Sequence, residues 1–443
     1  MKHLSIDGFA GGGGASCGLK MAGIDVTIAI NHDPAAIRMH TVNHPKTLHL
    51  TEDIFQVDLA KYLDPDDTVD VMWASPDCTS HSKAKGGQPR KLGLRILPWA
   101  VYRLCKQILT VTGHLPSMLF MENVEEIQEW GPLDKACHPI QRKKGREYRR
   151  FISAMKKLGF TFDCRTLVAA DFGAPTTRKR WYAVFRSDGK AIRWPEPTHS
   201  KEPGGMFPLK PWVPVEDVLD FTDLGSSIFE RSKPLADATL RRIANGIRKF
   251  IAENPKPYFL PDQQALPFLI QYHSETTAGD VRGQTVTEPL KTIDTSNRYA
   301  LVSVFITKFY RTGTGQEVTE PLHTITTSPG HFGLVSVFLI KYYGTGNGQT
   351  VTEPLATITT KDRFGMVSTI ILKDGETYEI ADIRMRMLKP EELKLAQGFP
   401  KDYIIDHDID GNPYPISEQV AKIGNSVVPI MAMKIVKANL DAK

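Results

Sequence analysis

The sequence predicts an α/β protein: a parallel sheet covered by helices on both faces, joined to a smaller β-rich domain containing internal repeats. Three observations predict this. Over the first 190 residues, short apolar runs alternate with stretches of helical periodicity, the pattern of parallel strands linked by crossover helices. Proline-rich punctuation begins at "WPEPTHSKEPGG" (194–205) and ends that alternation. Beyond it, "GQTVTEPLKTIDT" (283–295), "GQEVTEPLHTITT" (315–327) and "GQTVTEPLATITT" (348–360) recur at spacings of 32 and 33 residues.

In chain order, "HLSID" (3–7), "DVTIAI" (25–30), "VDVMWAS" (69–75), "SMLFMENV" (117–124) and "RWYAVFRS" (180–187) read as buried strands. Between them, "ASCGLKMAG", "DPAAIRMHTVNH", "AVYRLCKQILTVTG" and "YRRFISAMKKLG" place apolar residues at helical intervals. Each TEPL repeat precedes a strand-like run such as "ALVSVFITKFY", as expected of a tandem β unit that needs its neighbours to complete a core. Helical patterning returns with "LKPEELKLAQG" (388–398) and "ISEQVAKIGNSVVPIMAMKIVKANL" (416–440). The expected organisation is residues 1–190, then a β-rich domain over 191–385, then 386–443 returning to the first domain.

At 443 residues and 41% hydrophobic, the chain can bury two cores. A net charge of +5 permits a polyanionic partner without requiring one. The five cysteines are widely spaced with no CxxC pair, so neither zinc nor a redox dithiol is expected and the chain reads as cytoplasmic and reduced. There is no signal-peptide pattern and no apolar run long enough to span a bilayer. A monomer without metal or membrane partner is expected.

The stretch "GFAGGGGASCGLKMAG" (8–23) follows a strand and opens a helix. Glycines there allow positive φ and close backbone approach by a ligand, although nicotinamide and flavin proteins share that feature. "SPDCTSHS" (75–82) places Cys78 just past a buried strand, at the edge where such sheets bind ligands. "MENV" brings Glu122 and Asn123 to the same edge, and "TTRKRWYAVF" adds Arg178 and Arg180. A thiol, a carboxyl and two guanidiniums converging beside a cofactor turn are hard to explain as packing.

Here the sequence resembles the C5-cytosine DNA methyltransferases. "DGFAGGGGAS" is similar to the family's Phe-x-Gly-x-Gly turn, "TEDIFQ" to its Asp-Ile element, "SPDCTSHS" to its Pro-Cys-Gln loop and "MENV" to its Glu-Asn-Val motif. "TTRKR" resembles the Gln-x-Arg-x-Arg motif, while "RMLKPEELKLAQGFP" and "QVAKIGNSVVP" resemble the last two. Seven motifs in order carry the resemblance. It implies a Rossmann-like methyltransferase sheet with a target-recognition domain, and S-adenosylmethionine and double-stranded DNA as cofactor and partner.

The resemblance implies that Cys78 attacks C6 of a flipped-out cytosine, making C5 an enamine carbon able to take a methyl group. Glu122 would contact N3 and the exocyclic amine and deliver a proton, and Arg178 and Arg180 would orient the base. The methyl donor would lie along Phe9, Ala10, Gly11, Gly13 and Gly14. Asn31 and His32 would face its ribose, Asp53 and Ile54 its adenine, Pro76 its methyl, and Asn425 and Val427 its methionine part. The segment 82–95, with Lys83, Lys85, Arg90, Lys91 and Arg95, looks like a loop that closes over DNA phosphates; "QRKKGREYRR" (141–150) is a second basic run. The sequence departs from the family at Asp77 and Thr79 beside the cysteine, at Thr176 in place of glutamine, and at Asn31 and His32 where a ribose-binding acid is expected. Competing readings are an RNA cytosine methyltransferase, a DNA-binding protein of this fold without turnover, and a nicotinamide oxidoreductase.

Overall fold

The computed structural model describes residues 1–78, 81, 92–204, 208–272, 281–308, 338–341, 349–350, 364–367, 369–371 and 377–440. They fall into two compact units. The first comprises Met1–Val218, Pro289–Asn297 and Lys389–Lys443; the second comprises Leu219–Glu288 and Arg298–Leu388.

The first unit holds strands β1 (His3–Gly8), β2 (Ile28–Ile30), β3 (Leu48–Leu50), β4 (Thr68–Ala74), β5 (Met118–Asn123), β6 (Thr161–Val168) and β7 (Lys179–Arg186). They form one sheet in the order β3-β2-β1-β4-β5-β7-β6. β1 to β5 are parallel, but β7 runs antiparallel to both β5 and β6. The all-parallel expectation therefore fails at this edge. Residues 169–178 between β6 and β7 contain only a turn of 3₁₀ helix (Ala169–Phe172), and a parallel return needs a longer crossover. β6 itself alternates exposed and half-buried residues, an edge pattern that shows no apolar run.

Helices α1 (Gly14–Met21), α2 (Pro34–Asn43), α3 (Leu97–Thr112), α4 (Arg146–Leu158), α5 (Pro390–Ala396), α6 (Ile416–Asn425) and α7 (Pro429–Asn439) complete this unit. On one face of the sheet, Val101, Leu104 and Ile108 of α3 and Phe151 and Met155 of α4 pack with Ile6, Met72, Leu119 and Phe185. On the other, Leu19 of α1 and Met431, Ile435 and Val436 of α7 pack with Val71, Trp73, Phe120 and Val184. The C-terminal helix thus completes the core of the N-terminal strands, as its apolar face predicts.

Residues 191–218 also pack here, beyond the boundary that proline content suggests. Trp194 Nε1 donates to Asp163 at 2.8 Å, Trp212 Nε1 to Asp171 at 2.9 Å, and Asn439 Nδ2 to the Arg193 carbonyl at 2.8 Å.

The second unit is antiparallel. β8 (Ala265–Gln271), β9 (Gly283–Thr285), β10 (Tyr299–Lys308) and β11 (Thr377–Met387) line up as β11-β10-β8-β9. Leu266, Phe268 and Ile270 point one way at the two-residue period of a strand, into a core with Val302, Val304, Ile243 and Ile247.

The first TEPL copy divides between the units. Its Gly283–Thr285 forms β9, whereas Pro289–Asn297 belongs to the first unit, which corrects the reading of the repeat as wholly β-domain material. The second copy and the "RTGTG" (311–315) and "GTGNG" (344–348) loops lie outside the described residues, as does the third copy apart from Gln349 and Thr350.

Candidate active site

Cys78 follows β4 by a short turn, half-buried and with its carbonyl accepting from His81 N at 2.9 Å. The turn is tied to the next strand: Asn123 Nδ2, at the end of β5, donates to the Pro76 carbonyl at 2.8 Å. This bond fixes the Cys78 turn against the carboxyl-bearing strand end. Burial pushes the Cys78 thiol up; the Glu122 carboxylate and Asp77 add to that shift, while Arg180 and Arg178 oppose it. The four predicted chemical groups therefore share one electrostatic environment.

Glu122 and Arg180 form an ion pair, Oε1 to Nε at 3.2 Å, with both side chains largely buried. Neither atom makes a well-aligned hydrogen bond, so the attraction is coulombic, while Arg180 Nη1 donates to the Lys179 carbonyl at 2.8 Å. Tyr182, on β7 opposite Glu122, is fully buried, and its hydroxyl is pushed up first by burial and then by Glu122.

Arg178 is held differently. Its Nη1 donates to the carbonyls of Ile293 at 3.1 Å and Gly424 at 3.0 Å, and burial, with Arg180, lowers it to about 10. The Ile293 carbonyl arrives on the strip Pro289–Asn297. That strip pairs with residues 175–177 through Thr177 N to Leu290 O (2.8 Å) and Leu290 N to Pro175 O (2.9 Å). At α6, a Cβ on Gly424 would lie 1.9 Å from the Asp294 carbonyl oxygen, so only glycine lets the helix and strip close on Arg178 together. Gly424→Ala is expected to destabilise the chain by roughly 1–3 kcal/mol, as overpacking does, and to lower turnover more than donor affinity. Thermal unfolding, methyl transfer and donor-binding calorimetry check this.

The glycine turn lies between β1 and α1. Phe9 adopts φ 71°, a left-handed conformation unusual for an aromatic residue, and both Phe9 N and Ala10 N donate to the Ile30 carbonyl at 3.0 Å. The following glycines face inward for packing. A Cβ on Gly13 (φ 86°) would meet Tyr403 Oη at 2.0 Å, and one on Gly14 would meet the Val427 carbonyl oxygen at 2.2 Å. Gly11 differs: its nearest neighbour would be the Phe9 carbonyl at 3.9 Å, leaving an open backbone face.

The chain matches the description "C-5 cytosine-specific DNA methylase" over residues 4–440. The chain belongs to that family. Among curated methylases, it is 27% identical over 238 residues to the Type II methyltransferase M.AquIA of Picosynechococcus, covering 49% of this chain and 88% of that protein. It is 27% identical to M1.HphI of Haemophilus parahaemolyticus (45% of this chain, 50% of that one) and 30% identical to M.DdeI of Desulfomicrobium norvegicum (41% and 40%). The aligned part thus spans about half the length of several of these relatives. The solved DNMT2 of Spodoptera frugiperda aligns over 98% of this chain and 99% of its own at 14% identity and a TM-score of 0.49, a likeness too low to bear weight.

The methylase family uses S-adenosylmethionine as methyl donor, and the turn suits such a group. Gly11 presents an open face; of the other residues expected to meet the donor, Phe9 and Asn31 are half-exposed, Asp53 is exposed and Ile54 is buried. Asp53 Oδ1 already accepts from Phe55 N at 2.9 Å, and Asn31 Oδ1 from Asp33 N at 2.8 Å, so both side chains are held in place. His32 is exposed. Asp33, two residues after Asn31, caps α2 through Ala35 N and pairs with Lys422. Asn425 is exposed at the end of α6, next to the buried Ser426 and Val427 that pack on Gly12 and Gly14.

Of the basic residues expected on the DNA-closing segment, Lys83, Lys85, Arg90 and Lys91 lie outside the described residues. Arg95 departs from that expectation: it is 4% exposed and donates to the Gly131 carbonyl at 3.0 Å. In the second basic run, Lys144 pairs with Glu129 at 2.6 Å. Sequence reasoning also missed the braces of the turn. Tyr403 Oη donates to the Gly12 carbonyl at 2.8 Å, and Gln397 Nε2 to the Ser426 carbonyl at 2.9 Å. Gln397 belongs to the "LKPEELKLAQGFP" motif and Tyr403 follows it closely, but the motif's helical pattern draws attention to its apolar residues instead.

Proposed function

We propose that this chain transfers a methyl group from S-adenosylmethionine to carbon 5 of cytosine in double-stranded DNA, through a covalent cysteine adduct on a flipped-out base. The observation that carries the reading is the grouping of Cys78, Glu122, Arg178 and Arg180 in one electrostatic environment at the ligand edge of the sheet. When bound along Phe9–Gly14, the donor supplies an electrophilic methyl group.

The chain's own residues do the remaining work. The Cys78 sulfur forms a bond to C6, which moves electron density to C5 and toward N3. Glu122 gives N3 a hydrogen bond and a proton as that charge builds, and Arg180, paired with Glu122, holds the base through its O2. Arg178 adds positive charge from a fixed cage and opposes the upward shift of the Cys78 thiol. After methylation, loss of the C5 proton lets the cysteine leave. The base must leave the duplex stack to reach this edge, at a cost of a few kcal/mol. Pro76 and Asn123 keep the turn that receives it in place.

The repeat-bearing unit is the proposed reader of DNA sequence, since the same catalytic groups must serve any flanking bases. Transfer of tritium from labelled S-adenosylmethionine tests the function. Acid-stable label in the C5-methylcytosine of duplex DNA is expected. Label in RNA alone, or in neither polymer, would overturn the reading.

A further inference from the structure

A chain of four side chains beneath the glycine turn takes no part in the chemistry above. Ser16 Oγ lies 2.6 Å from Asp7 Oδ2 and 2.8 Å from His40 Nε2, and His40 Nδ1 lies 2.8 Å from His49 Nε2. Asp7, Ser16 and His40 are at most 1% exposed. His49 is half-buried and hydrogen-bonds the Thr47 backbone, so the chain runs from a sealed carboxyl to a solvent-facing imidazole. Asp7 Oδ1 is buried without a hydrogen-bond partner.

The surroundings set the charges. Burial pushes the Asp7 carboxyl up to about 7, against two hydrogen bonds from Ser16. Burial, then His44 and His49, hold His40 well below the ordinary imidazole range. His44 lies tilted against His40 with ring centroids 4.5 Å apart and is itself brought down to about 4 by burial, Lys20 and His49, against Asp25. Cys17 and Tyr403 face the same interior, and Tyr403 is raised by burial, Cys17 and Asp7. Cys17 is pushed up to about 12 by burial, with Lys20 opposing and Asp402 adding, so neither competes for the proton.

With both imidazoles neutral, the hydrogens fit this chain in two consistent directions. With Asp7 protonated, Asp7 donates to Ser16, Ser16 to His40 Nε2, and His40 Nδ1–H to His49 Nε2. With Asp7 ionised, every bond reverses: His49 Nε2–H donates to His40 Nδ1, His40 Nε2–H to Ser16, and Ser16 to the carboxylate. The change balances. Each group passes one proton to the next, and the proton that Asp7 loses is matched by one leaving His49 Nδ1 to solvent. No hydrogen bond among the four side chains is lost; only the His49 Nδ1–H bond to the Thr47 carbonyl is given up, at the half-buried end, so Asp7 can ionise without leaving its seal.

We propose that Ser16, His40 and His49 are positioning residues that let Asp7 exchange its proton with solvent from beneath the glycine turn, and that ionised Asp7 favours the cationic methyl donor over its uncharged-sulfur product. The second half rests on reading the turn as the donor site. Methyl transfer converts a sulfonium into a thioether, and a carboxylate in a water-poor interior discriminates between those charges.

Two measurements decide it. In nitrogen-15 histidine spectra of the free protein, the protonated ring nitrogen of His40 should change from Nδ1 to Nε2 as pH rises through about 7. Asp7→Asn should leave it independent of pH in this range. An unchanged tautomer in the wild type, or the same exchange in Asp7→Asn, overturns the chain. Calorimetric binding of S-adenosylmethionine and S-adenosylhomocysteine should then show the donor-to-product affinity ratio rising about tenfold between about pH 6 and about pH 8. The ratio should be flat in Asp7→Asn and in His40→Phe. Tautomer exchange with a flat wild-type ratio would overturn the link to the donor. If the wild type binds neither compound at any pH, the reading of the turn falls instead, and the spectra still judge the chain.

Discussion

Cys78→Ser is expected to lower methyl transfer by roughly 10⁴-fold or more, the scale on which removing a nucleophile acts. Binding of S-adenosylmethionine should stay close to wild type, because the turn at Phe9–Gly14 and its braces from Tyr403 and Val427 do not involve Cys78. A duplex carrying 5-fluorocytosine should trap the wild type covalently, since fluorine at C5 cannot leave as a proton does. No trapping is expected for the serine variant. Three of the other four thiols offer poor substitutes: burial pushes both Cys17 and Cys105 up to about 12, and Cys164 lies 3.6 Å from the Tyr148 hydroxyl on the α4 side of the sheet. The direction of the Cys78 shift adds a pH dependence. Burial and Glu122 raise it above its ordinary value of 9.0, so the free enzyme holds a neutral thiol near neutrality and the thiolate fraction grows about tenfold per pH unit. Alkylation of Cys78 in the free protein should rise with that slope and show no plateau below pH 9. A plateau near neutrality would mean that the arginines outweigh burial and the two carboxylates.

What the sequence made legible follows from how local each signal is. The glycine turn, Cys78 and Glu122 were readable because each sits at the end of a buried apolar run, and a parallel sheet gathers such ends at one edge; the two arginines instead open β7, and that strand's antiparallel direction brings its start to the same edge. The return of α7 was readable from an apolar face that needed a partner. β6 was not, because an edge strand half-open to water carries no apolar signature, and with it went the antiparallel end of the sheet. The caging of Arg178 was also out of reach. Its acceptors are backbone carbonyls of Ile293 and Gly424, more than a hundred residues downstream, and a carbonyl has no letter in the sequence. Arg95 misled for the opposite reason: its charge and its neighbours in a basic segment suggest a solvent-facing contact, yet its guanidinium bonds a buried carbonyl.

Glu122→Gln is expected to lower turnover by at least about 10²-fold, the usual scale for losing a general acid. The amide can still donate to a ring nitrogen and nearly preserves the shape of the side chain, so the loss isolates proton delivery from packing. The pairing with Arg180 gives the substitution a second signature. Glu122 Oε1 stands 3.2 Å from Arg180 Nε in a largely buried site, and glutamine cancels that attraction while leaving the guanidinium charged. Glu122 also raises the Cys78 thiol. Removing its charge should therefore lower that thiol toward its ordinary range, and the variant should alkylate faster at Cys78 while transferring methyl groups more slowly. These opposite changes separate the two roles. A variant that slows in both measurements has lost the fold of the β5 end, which Asn123 and the Pro76 carbonyl would report by spectroscopy. Near-normal turnover would instead assign proton delivery to another group, and Glu122 would then remain only the partner of Arg180.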